Sequence, residues 1–518
     1  MLRLFKTLFS VSLLTLVSCA ELTGVGAPIV ENATAPDRLF LQQLSDQSAI
    51  IKWRGTADYA CVAKKNAVLT RSSCKRSVLT EGNHQEVLID GLSPDTQYSY
   101  SVGGFTADTL RFRTAPEAGN VAADGSVRML ILGDSGSASS RIKGKFPYAG
   151  MSTAVLNGYQ KFLKNSGGKQ ADALLMLGDN AYQEGTDEEW QLAVFDIYPE
   201  LLSQMPLWST IGNHEMGAAI IDVSLLSEET AKKLGKSDGE LVLGGVSTSS
   251  DPNSFVTRAD RTPRRMPYLD ILTLPANAEL GGVPSGTEQY YSFNHGNVHV
   301  VSLDSQLSMR DELQRKAMHS WLEADLSANE MDWTIVIFHH PVYTKGSHDS
   351  DTEASSRFGI DQPILDLRTE FTPLFEQYSV DITFSGHSHS YERSWYLHGH
   401  RGDSHTFNAT EHAELNAKGD PAIGHGDEAY HQQSWGSDKD DKVVYTVAGS
   451  SGHVKMGRGK LNHPAHAIQE NDAEKRHGLE EMGSVIVDAT KDELTARFIN
   501  ETGKVLDTVV IKSKREKQ

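Results

Sequence analysis

Four short apolar runs in this chain each stop at a turn carrying a potential metal ligand, and that repetition limits the fold more than any other feature. Residues 129–132 run into Gly133-Asp134, 174–177 into Gly178-Asp179, 335–338 into His339, and 380–384 towards Gly386-His387. Unbroken apolar runs of this length suit strands buried on both faces. Between them the pattern turns helical, as with Leu313, Ala317, Trp321 and Leu322, whose spacing places them on one side of a helix. Strands alternating with helices predict an α/β sheet, and ligands bind along the edge of such a sheet where strand ends converge. Positions far apart in sequence can therefore meet there.

The rest of the chain divides around this region. A length of 518 residues is enough for more than one domain. From 37 to 114 the pattern is one of short alternating strands. Tyr98, Tyr100 and Val102 share one face, as do Leu110 and Phe112, and 48–54 is another strand-like run. Glu81-Gly82-Asn83 and Gly91-Leu92-Ser93-Pro94-Asp95 supply turns between them. Together these predict a small β-sandwich, followed by a linker of small residues at 116–125. Residues 222–265 and 398–442 are poor core material and predict long loops or insertions. The second is rich in histidine, which invites a metal reading, but the spacing is irregular and favours a solvated loop. Its Arg401-Gly402-Asp403 triplet reads as chance. No internal repeat of solenoid period is present.

The N-terminus carries the marks of export. Arg3 and Lys6 precede an apolar run at 8–17 that is too short to span a membrane. It ends in Leu16-Val17-Ser18-Cys19, which resembles the lipobox of bacterial lipoproteins. That resemblance implies a signal peptide at 1–19, a lipid anchor on Cys19 and a tether at 20–36. It places the protein in the cell envelope, at the outer membrane or in the periplasm. The alternative is a plain secretory peptide. Cys61 and Cys74 remain as an even pair, either one disulfide in an oxidising compartment or two buried free thiols. A net charge of -19 works against nucleic-acid scaffolds as partners. It leaves room for a small anionic substrate, because bound metal ions reverse the local field.

The strand-to-loop junctions deliver, in order, Asp134, Asp179 with Tyr182, Asn213 with His214, His339, and His387 with His389. Carboxylates suit hard cations, and imidazoles suit zinc, iron and related metals. One ion cannot readily use two aspartates, a tyrosine, an asparagine and three of the histidines, but two ions sharing a carboxylate can. Two ions ~3.5–4 Å apart clamp the attacking and leaving oxygens of a phosphoryl transfer and acidify a bound water. This donor set therefore points to phosphoester hydrolysis.

The blocks Gly133-Asp134-Ser135-Gly136, Gly178-Asp179-Asn180-Ala181-Tyr182, Gly212-Asn213-His214-Glu215, Val336-Ile337-Phe338-His339 and Gly386-His387-Ser388-His389 resemble, in order, those of the calcineurin-like metallophosphoesterases. Tyr182, together with Tyr391-Glu392-Arg393-Ser394, resembles the purple acid phosphatases within them. That resemblance implies an α/β (α+β) catalytic domain over 128–512, with two packed mixed β-sheets flanked by helices. A sandwich at 37–116 precedes it, and its 91–98 segment resembles the end of a fibronectin type III module. The resemblance assigns a first metal to Asp134, Tyr182 and His389, and a second to Asn213, His339 and His387, with Asp179 between them. A phenolate ligand favours Fe3+ in the first site and gives the family its colour; Fe2+, Zn2+ or Mn2+ suits the second.

The same resemblance makes His214 the residue that orients substrate and protonates the leaving oxygen; the alternative is an outer hydrogen-bond donor. His348 lies where the family carries a substrate-facing histidine, in surroundings that are unusual for it. His340 and Asp304 are expected to orient neighbours rather than bind metal, and Glu392 and Arg393 to support the ligand loop. The implied activity is that of an acid phosphatase on small phosphomonoesters. A phosphodiesterase or nucleotidase on the same scaffold is the near alternative, and a noncatalytic surface-binding lipoprotein the distant one.

Overall fold

The computed structural model describes residues 33–137, 150–182, 185–215, 218–222, 240–244, 255–256, 263–264, 266–353, 361–432, 441–455, 460–468 and 477–513. Cys19, the signal segment, most of the tether and most of 222–265 lie outside the described residues. Among those residues, no helix is long and apolar enough to cross a membrane.

The N-terminal part is two four-stranded antiparallel sheets. One runs β1 (Asp37–Gln42), β2 (Ala49–Arg54), β6 (His84–Ile89), β5 (Val78–Thr80); the other runs β4 (Cys74–Arg76), β3 (Tyr59–Lys64), β7 (Gln97–Val102), β8 (Arg111–Arg113). The predicted alternation folds as read: Tyr98, Tyr100, Val102, Leu110 and Phe112 share a buried core with Ile51, Trp53 and Val87. Cys61 and Cys74, paired across β3 and β4, form a disulfide, so the free-thiol alternative is excluded. The sandwich docks through Asp187, whose carboxylate takes Arg38 at 2.8 and 2.9 Å and Arg54 at 2.6 and 2.8 Å. Beside this contact Phe40 packs on Phe195, with ring centroids 5.2 Å apart.

The remaining strands, in chain order, begin with β9 (Val127–Leu132), β10 (Ala173–Met176) and β11 (Leu207–Ser209). Two two-stranded antiparallel sheets follow, β12–β13 (Ala218–Asp222, Glu240–Gly244) and β14–β15 (Phe255–Val256, Pro263–Arg264). Next come β16 (Tyr291–His295), β17 (Val298–Ser302), β18 (Trp333–Phe338), β19 (Ile382–Ser385) and β20 (Tyr391–Leu397). The last are β21 (Tyr430–His431), β22 (Val443–Ala448), β23 (Gly483–Ala489), β24 (Glu493–Asn500) and β25 (Val505–Lys512).

Two mixed sheets result, in the orders β11-β10-β9-β23-β24-β25-β21 and β16-β17-β18-β19-β22-β20. β9, β10 and β11 are parallel in the first, and β17, β18, β19 and β22 in the second. The sheets pack face to face over one core, with Trp208 stacked on Phe293 at 3.9 Å and Tyr391 on Phe498 at 4.1 Å. The unbroken apolar runs now have a cause. Ile335 and Ile337 enter the core between the sheets, while Val336 and Phe338 enter the core outside, against Met318 and Leu322 of the helix Glu312–Ala328. The helix Met151–Asn165 covers the first sheet at β23 and β24.

Two expectations need correction. In the helix Glu312–Ala328 the buried stripe is Met318, Trp321, Leu322 and Leu326, whereas Leu313 is 79% exposed and Ala317 is exposed. Asp311 caps the helix by accepting the N–H groups of Leu313 and Gln314, and the first turn extends past the core. Within 398–442, the described residues 398–432 are also more than a solvated loop. His400, Ala413, Ala422 and Tyr430 are buried, His400 packs near Tyr343, and Arg401 pairs with Glu376.

Candidate metal centre

Every predicted ligand lies just past the C-terminal end of a parallel strand. The first sheet supplies the oxygen donors: Asp134 after β9, Asp179 and Tyr182 after β10, Asn213 after β11. The second supplies the imidazoles: His339 after β18, His387 and His389 after β19. Glycines allow the loops to approach this closely. A Cβ on Gly386 would stand 2.2 Å from Asp134 Oδ2, and one on Gly212 would stand 2.3 Å from the Asp179 nitrogen. Asp134, Asp179 and His387 hold left-handed backbone, with φ of 53°, 52° and 66°. That conformation costs a non-glycine residue ~1–3 kcal/mol, so surrounding bonds must hold it. The His387 N–H donates to Asp134 Oδ2 at 2.8 Å, which ties one sheet's loop to the other's.

The seven side chains form two touching groups. Tyr182 Oη lies 3.1 Å from Asp134 Oδ1, 3.0 Å from Asp179 Oδ2 and 3.2 Å from His389 Nε2. Asn213 Oδ1 lies 2.9 Å from both His339 Nε2 and His387 Nδ1. Asp179 Oδ2 joins the groups, because it is also 3.4 Å from His339 Nε2. Asp179, His339 and His387 together have the spacing of a metal site.

The electrostatics fit cations. Burial pushes the Asp134 carboxyl up to about 7. Burial would depress His339, but the charge of Asp179 and the hydrogen bond to it raise the ring to about 10. Tyr182 is pushed well above the ordinary phenol value by burial, then by the charges of Asp134 and Asp179. Its phenolate form therefore requires a strongly charged cation beside it. Burial lowers His387 and His389 to about 3, leaving neutral rings with a lone pair to offer. Oxygen-rich and imidazole-rich groups of this kind suit two transition-metal ions.

His214 stands at the rim. Its N–H donates to Asp179 Oδ1 at 2.8 Å, its ring lies 4.4 Å from that of Tyr182, and its side chain is 24% exposed. His348 stacks on His387 with centroids 3.7 Å apart. His340 is buried, with Nδ1 on Ser305 Oγ and its ring against His387. Asp304 accepts the N–H groups of Gln306, Leu307 and Ser308, closing the turn in which Ser305 receives the N–H of both His339 and His340. Glu392 joins the loops after β18 and β19 through Thr344, the Lys345 N–H and Ser390; Arg393 pairs with Asp507 of β25.

Three further residues complete the site and escaped sequence reasoning. Glu215 is fully buried and accepts the N–H groups of Asp179, Asn180 and Gly212, fastening two ligand loops together. Its place directly after His214 in the third block was the available signal. Asp361 meets His387 and His348, and His453 meets His389. Neither belongs to a block, and nothing local marks them.

Comparison with known proteins agrees with this geometry. The calcineurin-like phosphoesterase family model matches residues 127–391. The chain is 25% identical over 325 residues to a phosphoenolpyruvate phosphatase of Allium cepa, covering 61% of this chain and 51% of that protein. It is 26% identical over 328 residues to purple acid phosphatase 23 of Arabidopsis thaliana, covering 61% and 58%. The chain thus spans between half and three-fifths of the length of these relatives. In fold it is similar to the purple acid phosphatase PPD1 from yellow lupin (Lupinus luteus) seeds, with a TM-score of 0.62 and 15% identity over 93% of this chain and 75% of that one. With donor side chains converging at strand ends, paired mixed sheets and a family match over more than half its length, the chain belongs to the calcineurin-like metallophosphoesterases and stands among relatives that are purple acid phosphatases.

Proposed function

We propose that the chain is an exported hydrolase of phosphate monoesters that works with two metal ions. Asp134, Tyr182 and His389 hold the first ion, Fe3+, and Asn213, His339 and His387 hold the second, Fe2+, Zn2+ or Mn2+. Asp179 is shared. The observation that carries this reading is the position of one oxygen, Asp179 Oδ2, which faces Tyr182 Oη at 3.0 Å and His339 Nε2 at 3.4 Å. A carboxylate so placed belongs to both donor sets.

When bound, the ions polarise the phosphoryl oxygens and acidify the attacking water. The protein's own groups do the rest. His214, partly exposed above Tyr182, orients the ester and gives a proton to its leaving oxygen. His348, partly exposed beside His387, contacts the phosphate. Glu215 and Asp304 fix the loops so that the donors need little rearrangement. The test is turnover by iron- and zinc-loaded protein on an aryl phosphate monoester and on a diester, across roughly pH 4 to 8. Monoester turnover with the diester slower is expected. No turnover of either would sink the reading, and a faster diester would move it to the phosphodiesterases.

The Cys61–Cys74 disulfide supports export, since such bonds persist in oxidising compartments. Anchoring at Cys19 and a fibronectin type III-like role for the sandwich belong to the same proposal. Fatty-acid labelling that disappears in Cys19→Ser checks the anchor; labelling that persists rejects it.

A further inference from the structure

The three predicted imidazole ligands each have an outward nitrogen, and each meets a different group. His339 Nδ1 donates to the carbonyl of Leu177 at 2.9 Å. His389 Nδ1 lies against His453 Nε2. His387 Nε2 faces a carboxylate, 2.9 Å from Asp361 Oδ1. The other oxygen of that carboxylate, Oδ2, takes His348 Nδ1 at 3.1 Å. The two rings stack 3.7 Å apart, 29° from parallel, so one carboxylate forks over a stacked pair of imidazoles.

An ionised carboxylate only accepts, so each ring must bring an N–H to it. His387 therefore carries its proton on Nε2 and keeps a lone pair on Nδ1. That atom points inward, 2.9 Å from Asn213 Oδ1 and 3.2 Å from His339 Nε2. An acceptor at the outward nitrogen fixes both the tautomer and the ring angle of a metal-ligating histidine, and is typically worth 10–100-fold in metal affinity. His339 and His389 have uncharged partners instead. Outer support is thus unequal between the two predicted sites, with the anionic partner on the second.

We infer that Asp361 is a positioning residue that secures the second metal ion through His387 and, with its other oxygen, aims His348 at the substrate. This rests on the binuclear reading above. His348, Asp361 and His387 also have the spacing of a metal site in their own right, so the test must distinguish a tautomer lock from a third ion.

The test measures metal content, visible spectrum and circular dichroism of the full chain and of Asp361→Asn, Asp361→Glu and His348→Gln during dialysis against graded chelator. Asp361→Asn is expected to release one ion at ~10–100-fold lower chelator strength than the unaltered protein, while keeping the fold and the visible band of the Tyr182 site. Asp361→Glu, which keeps the charge, and His348→Gln, which leaves His387 its partner, are expected to retain two ions. Retention of both ions by Asp361→Asn overturns the inference. So does simultaneous loss of both ions with the band, or a third ion in the unaltered protein that both Asp361→Asn and His348→Gln lose. An unaltered protein unable to hold two ions would instead overturn the binuclear reading itself.

Discussion

The two sheets present opposite chemistry to the same cleft. The first offers carboxylates, a phenol and an amide oxygen from the ends of β9, β10 and β11. The second offers imidazoles from the ends of β18 and β19. They are also braced differently. Glu215 takes three backbone N–H groups from two oxygen-bearing loops, and Glu392 joins the loops after β18 and β19 chiefly through hydroxyls, but the outward nitrogen of each imidazole has its own partner: Leu177, Asp361 or His453. The lesson is that the oxygen edge is built as a unit, and failure of its brace disturbs several ligands together. The imidazole edge shares Glu392, yet each ring is oriented by a partner of its own, so a change at one partner is expected to disturb one donor.

Removing the group that spans both edges has the largest expected effect. Asp179→Asn keeps the shape but loses the shared charge. Turnover should fall at least ~1000-fold, with fewer than two ions retained by metal analysis. A smaller loss with two ions bound would show that the edges do not share this carboxylate. His214→Gln leaves both donor sets intact and should lower kcat by ~100-fold or more. The loss should be greater for an alkyl phosphate, whose leaving oxygen needs a proton, than for a nitrophenyl phosphate. Equal losses on both substrates would make His214 a hydrogen-bond donor only.

Glu215→Gln tests the unit construction of the oxygen edge. A neutral amide has one accepting oxygen for three converging N–H groups, and each buried group left unsatisfied costs ~1–3 kcal/mol. Thermal unfolding of the metal-free protein should show that loss. Metal titration should show both sites weakened, in contrast to Asp361→Asn. Weakening of a single site would contradict the unit construction.

The smallest effect concerns pH and lies behind the imidazole edge. Burial, then His412, holds His400 down to about 4; burial, then His477, holds His466 down to about 3. Their folded values lie below the ordinary 6.5, so the unfolded chain binds protons first as pH falls. The stability they contribute is complete above 6.5 and is lost progressively down to the folded values, at ~1.4 kcal/mol per pH unit for each ring. Denaturant midpoints of His400→Gln and His466→Gln should depend less steeply on pH between 6.5 and 4 than that of the unaltered protein. Unchanged slopes would contradict the sign.

The strand ends and the convergence of their donor side chains were legible because each signal is local: an apolar run, a glycine and a donor within a few residues. The sandwich was legible for the same reason, through the alternation of Tyr98, Tyr100 and Val102. What was not legible depends on tertiary contact. Leu313 and Ala317 fit the helical period, yet where a helix leaves the core is set by its neighbours. Polar 398–442 looked solvated, but Arg401 finds Glu376 and His400 finds Tyr343, so its described residues 398–432 pack onto the domain. Asp361 and His453 carry no sequence mark because their role exists only where β19 brings His387 and His389 to them.

The difference between the edges comes to a point at Tyr182, the oxygen donor that an ordinary divalent ion has least reason to recruit. The decisive measurement is metal content together with the visible absorption spectrum, on the purified protein and on Tyr182→Phe. Two ions per chain and a broad visible band that disappears in Tyr182→Phe are the expected result. Two ions with no band in the unaltered protein, or a band that survives Tyr182→Phe, would contradict ferric iron at the oxygen edge and leave the chain a metallophosphoesterase of another kind.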